Sequence, residues 1–523
     1  MPENYFMGLI GIGLGVLLGV AVVKLISQKY TGFLYSPLKY SLKNLLMWLI
    51  KDSEMQKRIV ITCGLLILVQ AASNIPLPGI NISELKEFFD RIGGGIPHKF
   101  SVKAIDKMTI MSLGLMPFFS ACGLLQIASI LIPSLRRHSF GGENGRRVLS
   151  KFTYILTIIL SMIQSYFIAL WLEQPAAFQG MQLVTNPGIG FRLLTVITLT
   201  TTVILLLYIA NIISQYGIGN GVAVIAVSYL FLTFLNAIHV LLELVSSAKI
   251  PPMWPLVLTA TFIIVVHIIF CLTRFSKTIV IQDNNGNKTH IPLRPTIVGN
   301  APLSLAETVF LLPLTLASFV NQPTLQIFFN TIHRNPLISS GVTAVLVFIM
   351  VYLYTLIVFD PKYIHKLMTK YGYSFADSSQ SNENNLDDKM SKLLVYTGVI
   401  LVVVNVLPKL AIPLFKIPYS VAILFGSTVM LKVVGVFSDI IIQLVFLKEK
   451  SEGEVKKWNI CYVALDEIEA TIKSEYLKNK NIPVLIEPLR FSWGMPIRTM
   501  VDQYRIYVPL GKKEEAKNLL NSV

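Results

Sequence analysis

The sequence predicts an all-α polytopic membrane protein that carries a small α+β appendage near its C-terminus. Eleven apolar stretches follow one another along the 523 residues, and crossing hydrocarbon as helix takes roughly 20 such residues. Lys and Arg gather in alternate connections between the stretches. After the last stretch, apolar residues occur in short strand-like runs separated by charged helical patterns. In lipid every backbone N–H and C=O must be satisfied inside the protein, so the spans are expected to be helices. Composition agrees: 53% of residues are hydrophobic and 14% charged, against about 25% charged in a soluble chain.

The expected spans cover 6–26, 59–75, 109–132, 152–172, 193–214, 222–246, 254–273, 302–320, 337–359, 393–408 and 419–447. Lys24, Lys29, Lys39, Lys43, Lys51, Lys57 and Arg58 lie around the first connection. Further basic groups sit at Arg136, Arg137, Arg146, Arg147 and Lys151, at Arg274, Lys277, Lys288 and Arg294, and at Lys362, Lys366, Lys370, Lys389 and Lys392. By the positive-inside rule these connections face the cytoplasm, which places the N-terminus outside and the C-terminal tail inside. The net charge of +16 is spread over helix ends, where it meets anionic headgroups; direct nucleic-acid binding is not expected.

One connection breaks the rule. Residues 76–108 should be external, yet they hold Lys86, Arg91, Lys99, Lys103 and Lys107 beside Glu84, Glu87, Asp90 and Asp106, with Gly93, Gly94 and Gly95 between. Such a segment fits either a place on the outer surface or a fold back into a protein cavity. In the first span Gly11, Gly15 and Gly19 recur every four residues, a ridge that admits a close neighbouring helix. No basic residue opens the chain, which disfavours a cleaved signal peptide. Cys63, Cys122, Cys271 and Cys461 form no CxxC or Cys/His pattern, so they read as buried thiols, with no metal and no cofactor.

Residues 456–523 read as a small soluble module. Trp458–Leu465, Pro483–Leu489 and Tyr504–Leu510 have strand character; Asp466–Lys480 and Lys512–Leu520 have helical character. The module shows no paired carboxylates and no nucleophile–base pair, so it is expected to dock or regulate. No feature of the chain supports an enzyme.

Three passages within the membrane part stand out. Asn74-Ile-Pro-Leu-Pro-Gly-Ile-Asn81 stops a span with two prolines and a glycine. Leu113-Gly-Leu-Met-Pro-Phe-Phe-Ser-Ala121, followed by Gln126, gives a span with an internal proline and a polar stripe. Tyr216-Gly-Ile-Gly-Asn-Gly221 is a tight turn between spans. In this order and spacing, with Gly142-Glu-Asn-Gly-Arg-Arg147 and Pro361, they closely resemble the SecY family, the channel subunit of the protein-secretion translocon. The resemblance covers about residues 54–447.

That resemblance implies a SecY-like ten-helix channel of two pseudo-symmetric halves, about 54–248 and 249–447, with a plug at about 82–107. The region 1–53 would add an extra N-terminal transmembrane helix and basic linker, and 456–523 a small α+β cytoplasmic C-terminal domain. The family's apolar pore ring maps to Leu115, Phe119, Ala226, Ser304 and Leu431, and its lateral gate to Gln126 and Thr308. The plug glycines would be Gly93, Gly94 and Gly95; Arg146, Arg147, Arg274, Lys277, Lys362 and Lys366 would dock cytoplasmic partners. The implied function is passage of unfolded secretory and membrane polypeptides across the plasma membrane and sideways into the lipid bilayer. Implied partners are SecE-like and SecG-like small membrane subunits and a SecA motor or ribosome.

The chain also departs from the family pattern. Ser304 and Ala226 make a weakly apolar ring, and Glu307 and Lys432 are charges within spans, expected to pair or to line water. The loops at Asp283-Asn-Asn-Gly-Asn287 and Ser378-Ser-Gln-Ser-Asn-Glu-Asn-Asn385 are polar rather than basic, which points to a divergent or accessory translocon with altered motor docking. Two other classes stay open: a secondary transporter using Glu307 and Lys432 as coupling charges, and a non-conducting membrane scaffold that binds a partner through 456–523.

Overall fold

A computed structural model describes residues 48, 51–85, 87, 108–132, 134–135, 142–175, 180–229, 277–283, 288–293, 302–303, 305–306, 309–310, 331–332, 335–358, 361–375, 391, 394–395, 398–403, 405–406, 436, 440, 443–451, 458–464, 467–489 and 503–522. The expected first span at 6–26 and the span at 254–273 lie outside the described residues, as do most of 302–320 and 419–447. Contacts divide the chain into two compact units, one built on 49–125 and 150–261, the other on 126–149 and 262–523.

The first unit is helical. Helix α1 (Ser53–Ala72) begins at Asp52, whose carboxylate accepts the Glu54 and Met55 amides at 2.9 and 3.3 Å, a cap for otherwise orphan donors. Helix α2 (Met116–Leu131) starts seven residues later than the expected span at 109. Its proline is therefore not internal: Pro117 stands in the first turn, where the missing N–H has no helical partner to lose. Helix α3 (Gly142–Leu172) has 31 residues and already includes Gly142–Arg147; at about 1.5 Å per residue it exceeds the roughly 30 Å of hydrocarbon. Helix α4 (Ile189–Tyr216) packs against α1. Among the described residues, Ser53–Ala72, Val148–Leu172 and Ile189–Tyr216 are long and apolar enough to cross a membrane.

The polarity of α3 is inside out. Ile155, Ile159, Met162 and Tyr166 are exposed, while Thr153, Thr157, Ser161 and Ser165 are fully buried along a four-residue repeat. The hydroxyl of Thr157 donates to the Thr153 carbonyl at 2.7 Å, and that of Ser161 to Ile158 at 2.8 Å. The hydroxyls of Thr157, Ser161 and Ser165 thus bond back to their own helix and leave a slim, close-packing face. Exposed Leu193, Ile197, Ile204 and Tyr208 give α4 the same outward apolar surface. Cys63 is also exposed rather than buried, which a thiol on a lipid-facing apolar surface tolerates without a partner.

The second unit joins helices to two small sheets. Helix α5 (Pro336–Val358) is followed by the short α6 (Pro361–Lys370). Strands β1 (Lys277–Asp283) and β2 (Lys288–Leu293) form an antiparallel hairpin, and β3 (Tyr373–Phe375) pairs with the other edge of β1. The expected loop around Asp283–Asn287 is thus flanked by strands, for which the alternation in Lys277-Thr-Ile-Val-Ile-Gln282 is the sequence signal. Near the C-terminus β4 (Trp458–Ala464), α7 (Glu467–Asn479), β5 (Leu485–Leu489), β6 (Gln503–Pro509) and α8 (Lys513–Ser522) follow. Their sheet is antiparallel in the order β4-β6-β5. Helices α7 and α8 both pack against β4 and β6, and the alternate residues Tyr504, Ile506 and Val508 of β6 are buried. Because Ile506 is fully buried, Ile506→Ala should lower the stability of this body by about 2–5 kcal/mol, read as a lower urea midpoint for proteolysis within 458–522.

Candidate functional site

The turn at Tyr216–Gly221 is held by α1. Where α4 ends, the Gly217 amide closes on the Ile213 carbonyl at 2.8 Å, and the Gly217 carbonyl accepts Arg58 Nη1 at 3.2 Å. The Ile218 amide donates to Thr62 Oγ1 at 2.9 Å, while Thr62 Oγ1 donates to the Arg58 carbonyl at 2.8 Å. On the far side of the turn, the Gly221 amide donates to Ser214 Oγ at 2.8 Å, and the Ser214 hydroxyl in turn donates to the Ala210 carbonyl at 2.9 Å. Asn220 Oδ1 then accepts the Val222 and Ala223 amides at 3.1 and 3.4 Å and starts the next helix. The glycines are required by approach. A Cβ on Gly217 would stand 2.5 Å from Thr62 Oγ1, and one on Gly221 would fall onto the Ala210 carbonyl.

At the opposite end of α1 the Asn74–Asn81 passage turns off the helix and lies between two neighbouring segments, bridged to each at one point. The Leu77 amide donates to the Met108 carbonyl at 2.8 Å, and the Ile110 amide to the Ile75 carbonyl at 3.0 Å. Further along, the Asn81 amide donates to the Leu183 carbonyl at 2.8 Å and the Thr185 amide to the Gly79 carbonyl at 3.1 Å. Gly79 lies at φ +86° with the Phe191 ring 2.9 Å from where a Cβ would stand. The prolines at 76 and 78 leave this segment without donors at those positions.

The same end of α3 and α4 is pinned by an ion pair. Glu173 accepts Arg192 Nε at 2.8 Å and lies 2.7 Å from Arg192 Nη2, while the Gly188 amide donates to its second oxygen at 2.8 Å. Burial alone would raise the Glu173 carboxyl, but the hydrogen bonds from Arg192 and Gly188 and the Arg192 charge outweigh it and hold the group below its ordinary range.

The expected pore-ring residues fall as follows. Leu115 is buried just before α2, Phe119 is half-buried in its first turn, and Ala226 is half-buried between buried Ile225 and Val227 on the helix after the turn. All three belong to the first unit; Ser304 and Leu431 lie outside the described residues. Gln126 is in α2, whereas Thr308, Glu307, Lys432, Arg274 and the plug glycines Gly93, Gly94 and Gly95 lie outside the described residues. Arg146 and Arg147 are in the first turns of α3, Lys277 opens β1, and Lys362 and the exposed Lys366 are on α6. Sequence reading missed Arg58, Thr62 and Ser214, which hold the turn, and the Glu173–Arg192 pair. Their partners lie up to 159 residues away in sequence, so no local pattern announces them.

Long apolar helices with self-satisfied hydroxyls and two stitched ends define a polytopic helical membrane protein. Its relatives narrow the class. The SecY family model matches residues 109–441. The protein translocase subunit SecY of Aquifex aeolicus is 27% identical over 421 residues, 77% of this chain and 97% of that protein. The SecY of Escherichia coli K12 is 27% identical over 429 residues, 78% of this chain and 95% of that protein, and the Rickettsia typhi SecY is 28% identical over 425 residues. A solved structure of a protein conducting channel superposes with a TM-score of 0.51 and 15% identity, over 80% of this chain and 100% of that one. The chain belongs to the SecY family. It is a protein-conducting channel subunit with the SecY channel fold, and it is not an enzyme.

Two outcomes follow from the geometry. Gly221→Ala drives a methyl group into backbone and should destabilise the purified protein by about 1–3 kcal/mol or more, whereas Gly64→Ala, with open space around it, should change stability by under about 1 kcal/mol; thermal unfolding in detergent separates them. Because the Glu173 carboxyl is lowered in the folded chain, its stabilisation is present above the unfolded value of about 4.3 and is lost as pH falls through the folded value. Wild type should therefore melt above Glu173→Gln at pH 7, and the gap between the two should close as pH falls through and below the lowered folded value.

Proposed function

We propose that this chain forms the pore of a bacterial-type plasma-membrane translocase, passing unfolded polypeptides across the bilayer and laterally into it. The observation that carries the reading is the family match running through 109–441, which includes the passage around Leu115 and Phe119 and the turn that precedes Ala226. A channel for an extended chain must still exclude ions, and a ring of apolar side chains does so by dewetting. Leu115, Phe119, Ala226, Ser304 and Leu431 are the proposed ring, with Gly93–Gly95 in a plug and Gln126 and Thr308 at a lateral gate. The partial accessibility of Phe119 and Ala226 among buried neighbours supports a lining role over plain packing.

In this reading the N-terminus lies outside, residues 1–53 supply an additional span and basic linker, and 456–523 form a cytoplasmic domain. SecE-like and SecG-like subunits would flank the channel, and a SecA-like motor or a ribosome would drive it through Arg146, Arg147, Arg274, Lys277, Lys362 and Lys366. Glu307 and Lys432 would pair within the second half or line water. A divergent, accessory role is favoured by one specific feature: β1, β3 and α6, on the connections that would receive the motor, are packed against the C-terminal strands and helices.

The pore assignment is open to direct measurement. In membrane vesicles, a secretory substrate stalled in transit and carrying one cysteine should form a disulfide with Phe119→Cys and with Ala226→Cys. It should not do so with Val60→Cys on the exposed face of α1. Equal crosslinking at all three positions, or at none while the substrate stays channel-bound, would remove the pore reading.

A further inference from the structure

Residues 458–522 share their largest apolar core with two other connections of the chain. Ile281 of β1 and Leu367 and Tyr371 at the end of α6 lie in one cluster with Ile472, Leu477 and Ile506, and Ile281, Ile472, Leu477 and Ile506 are fully buried. Helix α7 packs on α6 and on β2 as well as on its own sheet. Polar contacts close the same seam. The Tyr371 hydroxyl donates to the Leu520 carbonyl at 3.3 Å, Asn479 Nδ2 donates to the Tyr373 hydroxyl at 3.2 Å, and the rings of Tyr371 and Tyr476 meet edge to face at 5.1 Å.

Two buried charges sit beside this seam. Lys473 lies 2.8 Å from Glu469, with side chains 7% and 2% exposed, and its ammonium stands 3.4 Å over the Tyr462 ring and 5.9 Å from that of Tyr371. Glu469 also accepts the Tyr462 hydroxyl at 2.9 Å. Burial and the neighbouring Glu469 push the Tyr371 hydroxyl up to about 12, so it remains a donor throughout the physiological range. Both charges stand on α7, so they neutralise each other within that helix and allow this face of it to be buried beside the seam.

The opposite face of the C-terminal sheet has its own attachment. Residues 443–451 are helical, and Phe446 packs on Tyr507 at 5.7 Å while Lys450 stands 4.2 Å over the same ring. Tyr507 donates to Glu487 at 2.7 Å, and Gln443 Nε2 reaches the other Glu487 oxygen at 3.5 Å. Both sides of one three-stranded sheet are thus covered, one by α7 and α8 and the other by the end of the last membrane stretch.

We propose that β1–β3 and α6 form an internal docking surface whose permanent partner is the chain's own C-terminal body, which clamps these connections and residues 443–451 into one rigid unit. A detachable contact would be polar and wet, like transient interfaces between domains. This one is built around an apolar core, and parting it would expose Ile281, Leu367, Ile472 and Leu477 together. The clamp has two consequences. The apolar face around Ile281 and Tyr371 is withdrawn from every outside partner, and the three attached segments move together in any opening of the channel. The inference does not depend on the pore assignment, since it rests on packing within one unit alone.

Hydrogen exchange on the full chain in lipid nanodiscs tests it. Leu477→Ala, made in the C-terminal body, should speed amide exchange at least tenfold in β1, β3 and α6 as well as in 458–522. Ile281→Ala, made in the hairpin, should do the same to α7 and β6, since coupling between two sites is reciprocal. Exchange in α4 should stay unchanged and serves as the internal reference. A tethered, independent module gives the opposite result: each substitution loosens only its own segment, and the proposal is overturned. Should Leu477→Ala loosen α4 too, Tyr476→Ala trims a half-buried ring at the seam, the one that meets Tyr371 edge to face, and its effect on β1 and β3 decides in the same way.

Discussion

A backbone amide or carbonyl left unpaired in hydrocarbon costs several kcal/mol, and the described membrane part is organised around avoiding that cost. Helices satisfy it along their length. The difficulty falls on their ends, where four donors or four acceptors lack intrahelical partners. At the end of α4 the answer is a turn in which Arg58, Thr62 and Ser214 meet the groups that the helix leaves open. At the other end of α1 the turn-rich passage at 74–81 pairs with two neighbouring segments. Glycine stands at 217 and 221 because only a residue without Cβ lets the two backbones come that close.

The same constraint explains the odd chemistry of α3. A helix whose hydroxyls are buried and whose isoleucines are exposed would be unstable in water. In lipid the exposed face is free of penalty, and the Thr and Ser side chains, bonded back to their own carbonyls, make a narrow face that neighbours can approach. Glu173 and Arg192 sit just where α3 leaves and α4 enters the apolar zone, and each is neutralised by the other.

Beyond the last membrane stretch the governing force changes to burial of apolar area in water. A body of some 65 residues buries only about 60% of the surface its unfolded chain exposes and is marginal alone. Sharing a core with β1, β3 and α6 relieves that shortage. It also makes those connections part of a structured body, although their own sequences at 283–287 and 378–385 are rich in polar turn residues.

The sequence by itself determined the solvent, the fold class and the family. Apolar length predicted α1, α3 and α4 within 59–75, 152–172 and 193–214; each helix begins upstream of those limits, α1 stopping at Ala72 and α3 at Leu172 while α4 runs on to Tyr216. The spacing of the proline and glycine passages carried the SecY resemblance. What only tertiary structure decided is where those passages are anchored: that Thr62 receives Ile218, that Glu173 meets Arg192, and that Tyr371 closes on α7 and α8. Periodicity reports which face of an element is apolar, since that depends on neighbours one turn away. Which distant segment covers that face depends on the path of the chain through space, and no local pattern records it.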